Sequence, residues 1–297
     1  MSRVHDALRR AEQMGAPSGE KRAVAPAAAG GAATPAPQPA AQSFLDSVLE
    51  VQFTPAPEAL MIDINRPQDA PSEEFRSLRT RVNHLQNLQP IHTVVVTSPS
   101  PAEGKSFVAA NLALAQSHLA GNLTLLCDFD LRRPVVHNLL QMERAPGATD
   151  YLLGQAPLAA CLRRVAGTSL YVMPAGSAVK NPLELLNLRE AKMLLQELPK
   201  TFNWIVLDSP PLLFSADANL LGTLADGTIL VIRVGATTID TVYRAMQSLC
   251  ENNVLGVVVN GARAGELYSK YAYYYSKYGY GEKETEPEEA PAPEAGE

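Results

Sequence analysis

HTVVVTSPSPAEGKSFVAANLALAQSHLA, residues 92–120, decides the fold. Its first seven residues, His92–Ser98, are a β-branched apolar run that predicts a buried strand. Its last thirteen predict a helix. Between them lies Gly104-Lys105-Ser106, the end of a loop whose backbone N–H groups, with the positive end of the following helix, surround an anionic phosphate. In that setting Lys105 reaches the β- and γ-phosphates and the Ser106 hydroxyl ligates Mg²⁺. Ser100, Pro101, Ala102, Glu103, Gly104, Lys105, Ser106 and Phe107 are therefore candidate nucleotide-binding residues. The usual pattern, G-x-x-x-x-G-K-S/T, wants glycine where this chain has Pro99.

Two downstream stretches strengthen the reading. In TLLCDFDLRRP, residues 124–134, an apolar strand delivers Asp128 and Asp130 at its C-terminal end, where ligands gather in open α/β sheets. Two carboxylates there can hold Mg²⁺ or accept a proton from an attacking hydroxyl. The alternative is a solvated turn with Arg132 and Arg133 as ion-pair partners. In WIVLDSPPLL, residues 204–213, another apolar strand ends in Asp208, suited to orienting a Mg²⁺ shell, and Pro210 and Pro211 stop the strand. Asp217 reads as a helix cap or as support for the site. Lys105, Asp128, Asp130 and Asp208 are the catalytic candidates; Ser106, Asp128 and Asp208 are the metal candidates.

Working outward, strands are expected at His92–Ser98, Asn122–Asp128, Leu170–Pro174, Asn203–Asp208, Gly227–Val234 and Val254–Asn260. Their near-continuous apolar runs predict a parallel sheet covered on both faces by helices. Asn260, ending the last strand, is expected to face an adenine. Ser72, with Glu74, Phe75, Leu78, Val82 and Leu85, predicts a capped helix. The folded domain is expected over residues 71–261. Before it, residues 1–15 suit a short amphipathic helix, and residues 16–70, rich in Ala, Pro and Gly at first, suit a disordered linker with room for one short docking helix. Residues 262–297 suit a disordered tail.

Composition narrows the function classes. Between Glu282 and Glu297 seven glutamates face one lysine, which accounts for the whole net charge of −6. The rest is close to neutral, which argues against a broad nucleic-acid-binding face. No apolar run approaches the roughly 18–20 residues of a membrane span, and no secretion signal opens the chain. A cytoplasmic protein is expected. Cys127, Cys161 and Cys250 lack metal-ligand spacing and suit buried thiols. Seven of the ten tyrosines, Tyr268, Tyr271, Tyr273, Tyr274, Tyr275, Tyr278 and Tyr280, crowd one short segment among Ser, Lys and Gly. Exposed hydroxyls of that kind make sense as phosphate acceptors, or as an aromatic docking tail.

Taken together these stretches resemble the bacterial tyrosine kinase family, P-loop NTPases of the deviant-Walker type, over residues 71–281. Gly104-Lys105-Ser106 resembles the family's Walker A motif, Asp128–Pro134 its Walker A′ motif and Asp208–Pro211 its Walker B motif. Residues 176–186, with Asn181-Pro182-x-Glu184-Leu185-Leu186, resemble a further landmark. Related partition and septum-site ATPases carry a signature lysine where this chain has Ser100. Many relatives have Pro-Gly where this chain has Pro101-Ala102, so its loop must turn without glycine.

The resemblance implies an ATP- and Mg²⁺-dependent autokinase that phosphorylates its own tyrosine cluster and regulates capsular or extracellular polysaccharide synthesis or export. It also implies a membrane copolymerase partner that recruits the protein to the inner face of the membrane. Glu73, Arg76 and Arg79 match the family's E-x-x-R-x-x-R motif and imply a homo-oligomeric ring. The alternative is a partition- or septum-type ATPase switch without kinase activity.

Overall fold

The computed structural model describes residues 44–55, 59–62, 71–249 and 254–262. The expected N-terminal helix, most of the linker and all seven clustered tyrosines lie outside them. Within them, strands β1 (Leu49–Val51), β2 (Thr93–Thr97), β3 (Thr124–Asp128), β4 (Arg163–Val165), β5 (Leu170–Met173), β6 (Trp204–Asp208), β7 (Gly227–Arg233) and β8 (Val254–Asn260) form one sheet. Its order is β1-β4-β5-β3-β6-β2-β7-β8. Every neighbouring pair is parallel except β4 with β5. The six expected strands are all present, trimmed by a residue or two at some ends.

Alternate residues of each central strand feed opposite cores. Val94 and Val96 of β2 join Leu126 of β3 and Val206 of β6 on one face; Val95, Leu125, Cys127, Ile205 and Leu207 pack on the other. Both faces are dry, so β2, β3 and β6 are buried at every residue. Helices α1 (Ser72–Leu88) and α2 (Lys105–Ser117) cover the first face through Phe75, Val82, Leu112 and Leu114. Phe75 of α1 meets Phe107 of α2 edge-on, with ring centroids 5.6 Å apart. Two short helices, α3 (Val136–Leu139) and α4 (Ala148–Leu152), follow β3. Helices α5 (Pro182–Asn187) and α6 (Arg189–Glu197) cover the second face through Leu185, Leu186, Leu194 and Leu195. The landmark at Asn181–Leu186 is thus a helix start whose two leucines enter the core. Helices α7 (Ala216–Leu224) and α8 (Ile239–Leu249) complete the layer beside β7.

Two expectations are revised. The fold begins before residue 71: Leu49–Val51 adds an edge strand on β4, Leu45 and Val48 enter the core, and the Ile62 amide donates to the buried Asn111 side chain at 2.8 Å. The linker expectation weighed the Ala/Pro-rich composition and passed over these few apolar anchors. Helix α1 begins where expected, but Pro71 is its cap residue and no side chain caps it, because Ser72 is already inside the helix and buried.

Candidate functional site

The site lies at the C-terminal ends of three adjacent strands, β3, β6 and β2. In the β3/β6 ladder Asp128 stands directly beside Asp208, and Val96 of β2 stands on the other side of Asp208. The phosphate loop leaves β2 and enters α2 above them. Parallel registry therefore sets Asp128 and Asp208, 80 positions apart in sequence, side by side.

Lys105 is the hub. Its Nζ lies 2.8 Å from Asp130 Oδ2 and donates to Ser106 Oγ at 3.2 Å. Burial works against its charge, but Asp208 and Asp130 outweigh that and raise its pKa. Asp128 is fully buried; Oδ1 accepts the Asp130 amide at 3.2 Å and Oδ2 the Val136 amide at 3.1 Å. Desolvation, reinforced by the neighbouring Asp208, pushes its pKa well above the usual carboxylate range. Asp208 is also fully buried, and among the described residues neither of its oxygens has a hydrogen-bond partner. Burial raises its pKa to about 6 against the opposing charge of Lys105; the Ser106 hydroxyl is near enough to favour the ionised form without completing a bond. Three buried acids thus face one lysine, and the pocket is short of positive charge.

The loop itself is held from outside. Gly104 has φ +97°, and a Cβ there would sit 2.0 Å from Asn260 Nδ2, so only glycine fits. Ala102 takes the left-handed conformation at φ +63°, the turn made without glycine. Glu103 is buried and points back into the protein: Oε2 accepts the Ser100 amide at 2.9 Å and Oε1 accepts the Thr237 hydroxyl at 2.5 Å. Asn260, expected beside adenine, turns its amide onto the loop, donating to the Glu103 carbonyl at 2.9 Å and accepting from Gly261 N–H at 2.9 Å.

Neither arginine of the Walker A′ stretch pairs with Asp128. Arg132 instead binds Asp217 at 2.8 Å, and Asp217 is buried behind it. The cap of α7 is Ser215, whose hydroxyl accepts the Asp217 amide, so Asp217 is free to anchor Arg132. Sequence reasoning missed Arg233 and Thr237, which hold the loop from the end of β7 and from the β7–α8 connection; no motif marks them. On α1, Glu73 and Arg76 form an exposed pair at 3.7 Å, while Arg79 donates to the Ala115 carbonyl at 3.0 Å at the end of α2.

A mostly parallel, helix-covered sheet with a Gly-Lys-Ser loop entering a helix at its centre defines a P-loop NTPase fold. No protein-family profile matches the chain. It is 34% identical over 225 residues to the tyrosine-protein kinase YwqD of Bacillus subtilis, covering 75% of this chain and 94% of that one. It is 30% identical over 226 residues to the tyrosine-protein kinase Wzc of Salmonella typhimurium, covering 74% of this chain but only 31% of Wzc. The kinase domain of the Escherichia coli tyrosine kinase ETK superposes with a TM-score of 0.64 at 29% identity, over 69% of this chain and 83% of that domain. The chain belongs to the bacterial tyrosine kinase family. Among the described residues no helix is long and apolar enough to cross a membrane.

Proposed function

We propose that this chain transfers the γ-phosphoryl group of ATP to the tyrosines of its own C-terminal segment, Tyr268 to Tyr280, between neighbouring copies. The observation that carries this is the convergence of Lys105, Ser106, Asp128, Asp130 and Asp208 at the ends of three adjacent strands. The loop amides from Ser100 to Phe107 and the start of α2 cradle the phosphates, and Lys105 exchanges its contact with Asp130 for the β/γ-phosphate oxygens. The tyrosine oxygen forms a bond to the γ-phosphorus as the bond to the β-phosphate oxygen breaks, and ADP leaves. Asp128 accepts the phenolic proton; its raised pKa suits a base that must hold one.

The residues fit a magnesium ion. Asp208 presents two buried oxygens that have no partner among the described residues, and the Ser106 hydroxyl is beside it. Among the described residues no three acidic, histidine or cysteine side chains gather closely enough to hold a metal alone. That suits an ion which keeps several waters and shares phosphate oxygens. Bound there by Ser106, Asp208 and Asp128, Mg²⁺ would supply charge neutralisation to the phosphates.

The reading extends to biology. The kinase regulates capsular or extracellular polysaccharide synthesis or export, recruited from the cytoplasm to the inner membrane face by a membrane copolymerase. Glu73 and Arg76, left exposed on α1, are offered to a neighbouring copy in a ring. A partition-type switch is the weaker alternative, since the relatives compared above are named tyrosine kinases.

The test is incubation of the purified chain with Mg-ATP and mass spectrometry of the C-terminal peptide, beside Lys105→Met. Phosphate on Tyr268–Tyr280 is expected in the wild type and reduced about 10³-fold or more in the variant. ATP hydrolysis with no tail phosphate, even with a candidate activator present, overturns it in favour of the switch.

A further inference from the structure

The phosphate loop contains an acid whose side chain does not face the pocket. Glu103 is 3% exposed, and its two carboxylate oxygens are both spent inside the protein. One accepts the Ser100 amide, closing the front half of the loop into a ring of four residues. The other accepts the Thr237 hydroxyl at 2.5 Å, a short charge-assisted bond. Thr237 is 134 residues away, on the connection between β7 and α8, and its hydroxyl oxygen also accepts the Arg233 amide at 2.8 Å. Arg233 returns to the loop through its guanidinium, donating to the Ala102 carbonyl at 3.1 Å. From β8, Asn260 donates to the Glu103 carbonyl.

These contacts surround the one strained turn of the loop. Ala102 sits at φ +63°, a conformation that costs an L-residue stability unless its surroundings hold it. Arg233 grips its carbonyl, and Glu103, the next residue, is bolted to Thr237 and Asn260. We infer that Glu103 and Thr237 are positioning residues: a strut that holds the phosphate loop in its nucleotide-ready shape before any nucleotide arrives. The inference rests on the reading that this loop binds ATP. Both Glu103 oxygens are engaged, by the Ser100 amide and the Thr237 hydroxyl, so the strut acts through the backbone amides it fixes. Without it the loop must be ordered by the nucleotide, so affinity falls while turnover at saturation is largely kept.

The experiment uses the full chain and measures Mg-ATP binding together with KM and kcat for tail phosphorylation, in the wild type, Lys105→Met, Thr237→Val, Thr237→Ser and Glu103→Gln. Thr237→Val removes the hydroxyl at nearly constant volume. It should raise KM and Kd for Mg-ATP about 5- to 10-fold with kcat within about twofold, the share of one charge-assisted bond. Thr237→Ser restores the hydroxyl and should return both constants to the wild-type range. Glu103→Gln keeps one carbonyl acceptor and should fall between. Thermal melts accompany every variant. A lower Tm with unchanged KM and kcat in Thr237→Val makes the contact merely structural and overturns the strut. Failure of the underlying reading looks different: wild type and Lys105→Met would then bind Mg-ATP equally or not at all.

Discussion

Strand β2 hides all five of its residues, whereas β8, two places away at the edge of the same sheet, leaves every residue at least partly open. Val95 is 0% exposed; Val257 and Val259 are 47% and 50% exposed. The difference teaches where this protein stores its chemistry. Helices seal the central strands on both faces, so an aspartate at the end of one is desolvated and loses the freedom to ionise cheaply. The edge offers no such environment. What it supplies instead is anchorage, through Asn260 at the end of β8 and Thr237 beside β7.

Asp208 gives the sharpest way to break that comparison. Asp208→Asn is expected to lower tail phosphorylation at least about 100-fold, through loss of the ligand that would hold the metal. It should also stabilise the nucleotide-free protein. Asp128, Asp130 and Asp208 crowd one lysine, so removing one acid relieves repulsion and leaves Lys105 paired with Asp130. The gain is expected at about 1 kcal/mol at pH 8. The sign with pH follows from the raised pKa. A carboxyl that titrates at about 6 when folded, against 3.8 when free, favours the native state as it takes up its proton. Wild-type stability therefore gains from this group as pH falls from 8 through 6 toward 4. The advantage of the asparagine variant should shrink across the same window and be gone near pH 5. Urea melts at pH 8 and pH 5 test this; a variant less stable than wild type at both would show that Asp208 is a structural partner and not a strained one.

The same contrast explains what could be read from the sequence. Continuous apolar runs announce strands, so β2, β3, β5, β6, β7 and β8 are all legible in the sequence, and an aspartate or a Gly-Lys-Ser loop at the ends of three of them marks the candidate site. The two short strands on the β1 side of the sheet, β1 and β4, carry no such mark. Leu49–Val51 reads as part of a linker, and in Arg163–Val165 the first residue is a buried arginine. Its guanidinium donates to the Ala160 and Leu162 carbonyls, a solution that only the folded backbone provides. Ties made across the sequence were equally silent. Glu103 reads as one more nucleotide-binding residue of the loop, and Asp217 as a cap or as support for the site, because nothing near either names Thr237 or Arg132 as its partner.

Smaller substitutions sharpen the contrast between centre and edge in pure packing terms. Val95→Ala empties space in the core on one face of the sheet, which the helices packed there cannot collapse to fill, and should cost about 2–3 kcal/mol in urea unfolding. Val257→Ala, on a half-open edge, should cost less than about 0.5 kcal/mol. Near-equal losses would mean that the edge of β8 is covered in solution and that its exposure misrepresents its environment.

The smallest expected effect lies in the loop that joins the two regions. Ala102 is held at φ +63° by Arg233 from the β7 side, so its strain belongs to the site and not to the fold. Ala102→Gly removes a penalty of roughly 1 kcal/mol or somewhat more. It also lets the unfolded chain roam more widely, which returns about 0.4–1 kcal/mol. The balance is a net stabilisation of about 0.5 kcal/mol, or a rise in Tm of about 1–2 °C. A fall in Tm would mean that alanine's restriction of the unfolded state outweighs its strain in the loop. Glu103 and Thr237 would then be holding a turn that the backbone accepts without them, and the case for a strut would lose the strain it is said to contain.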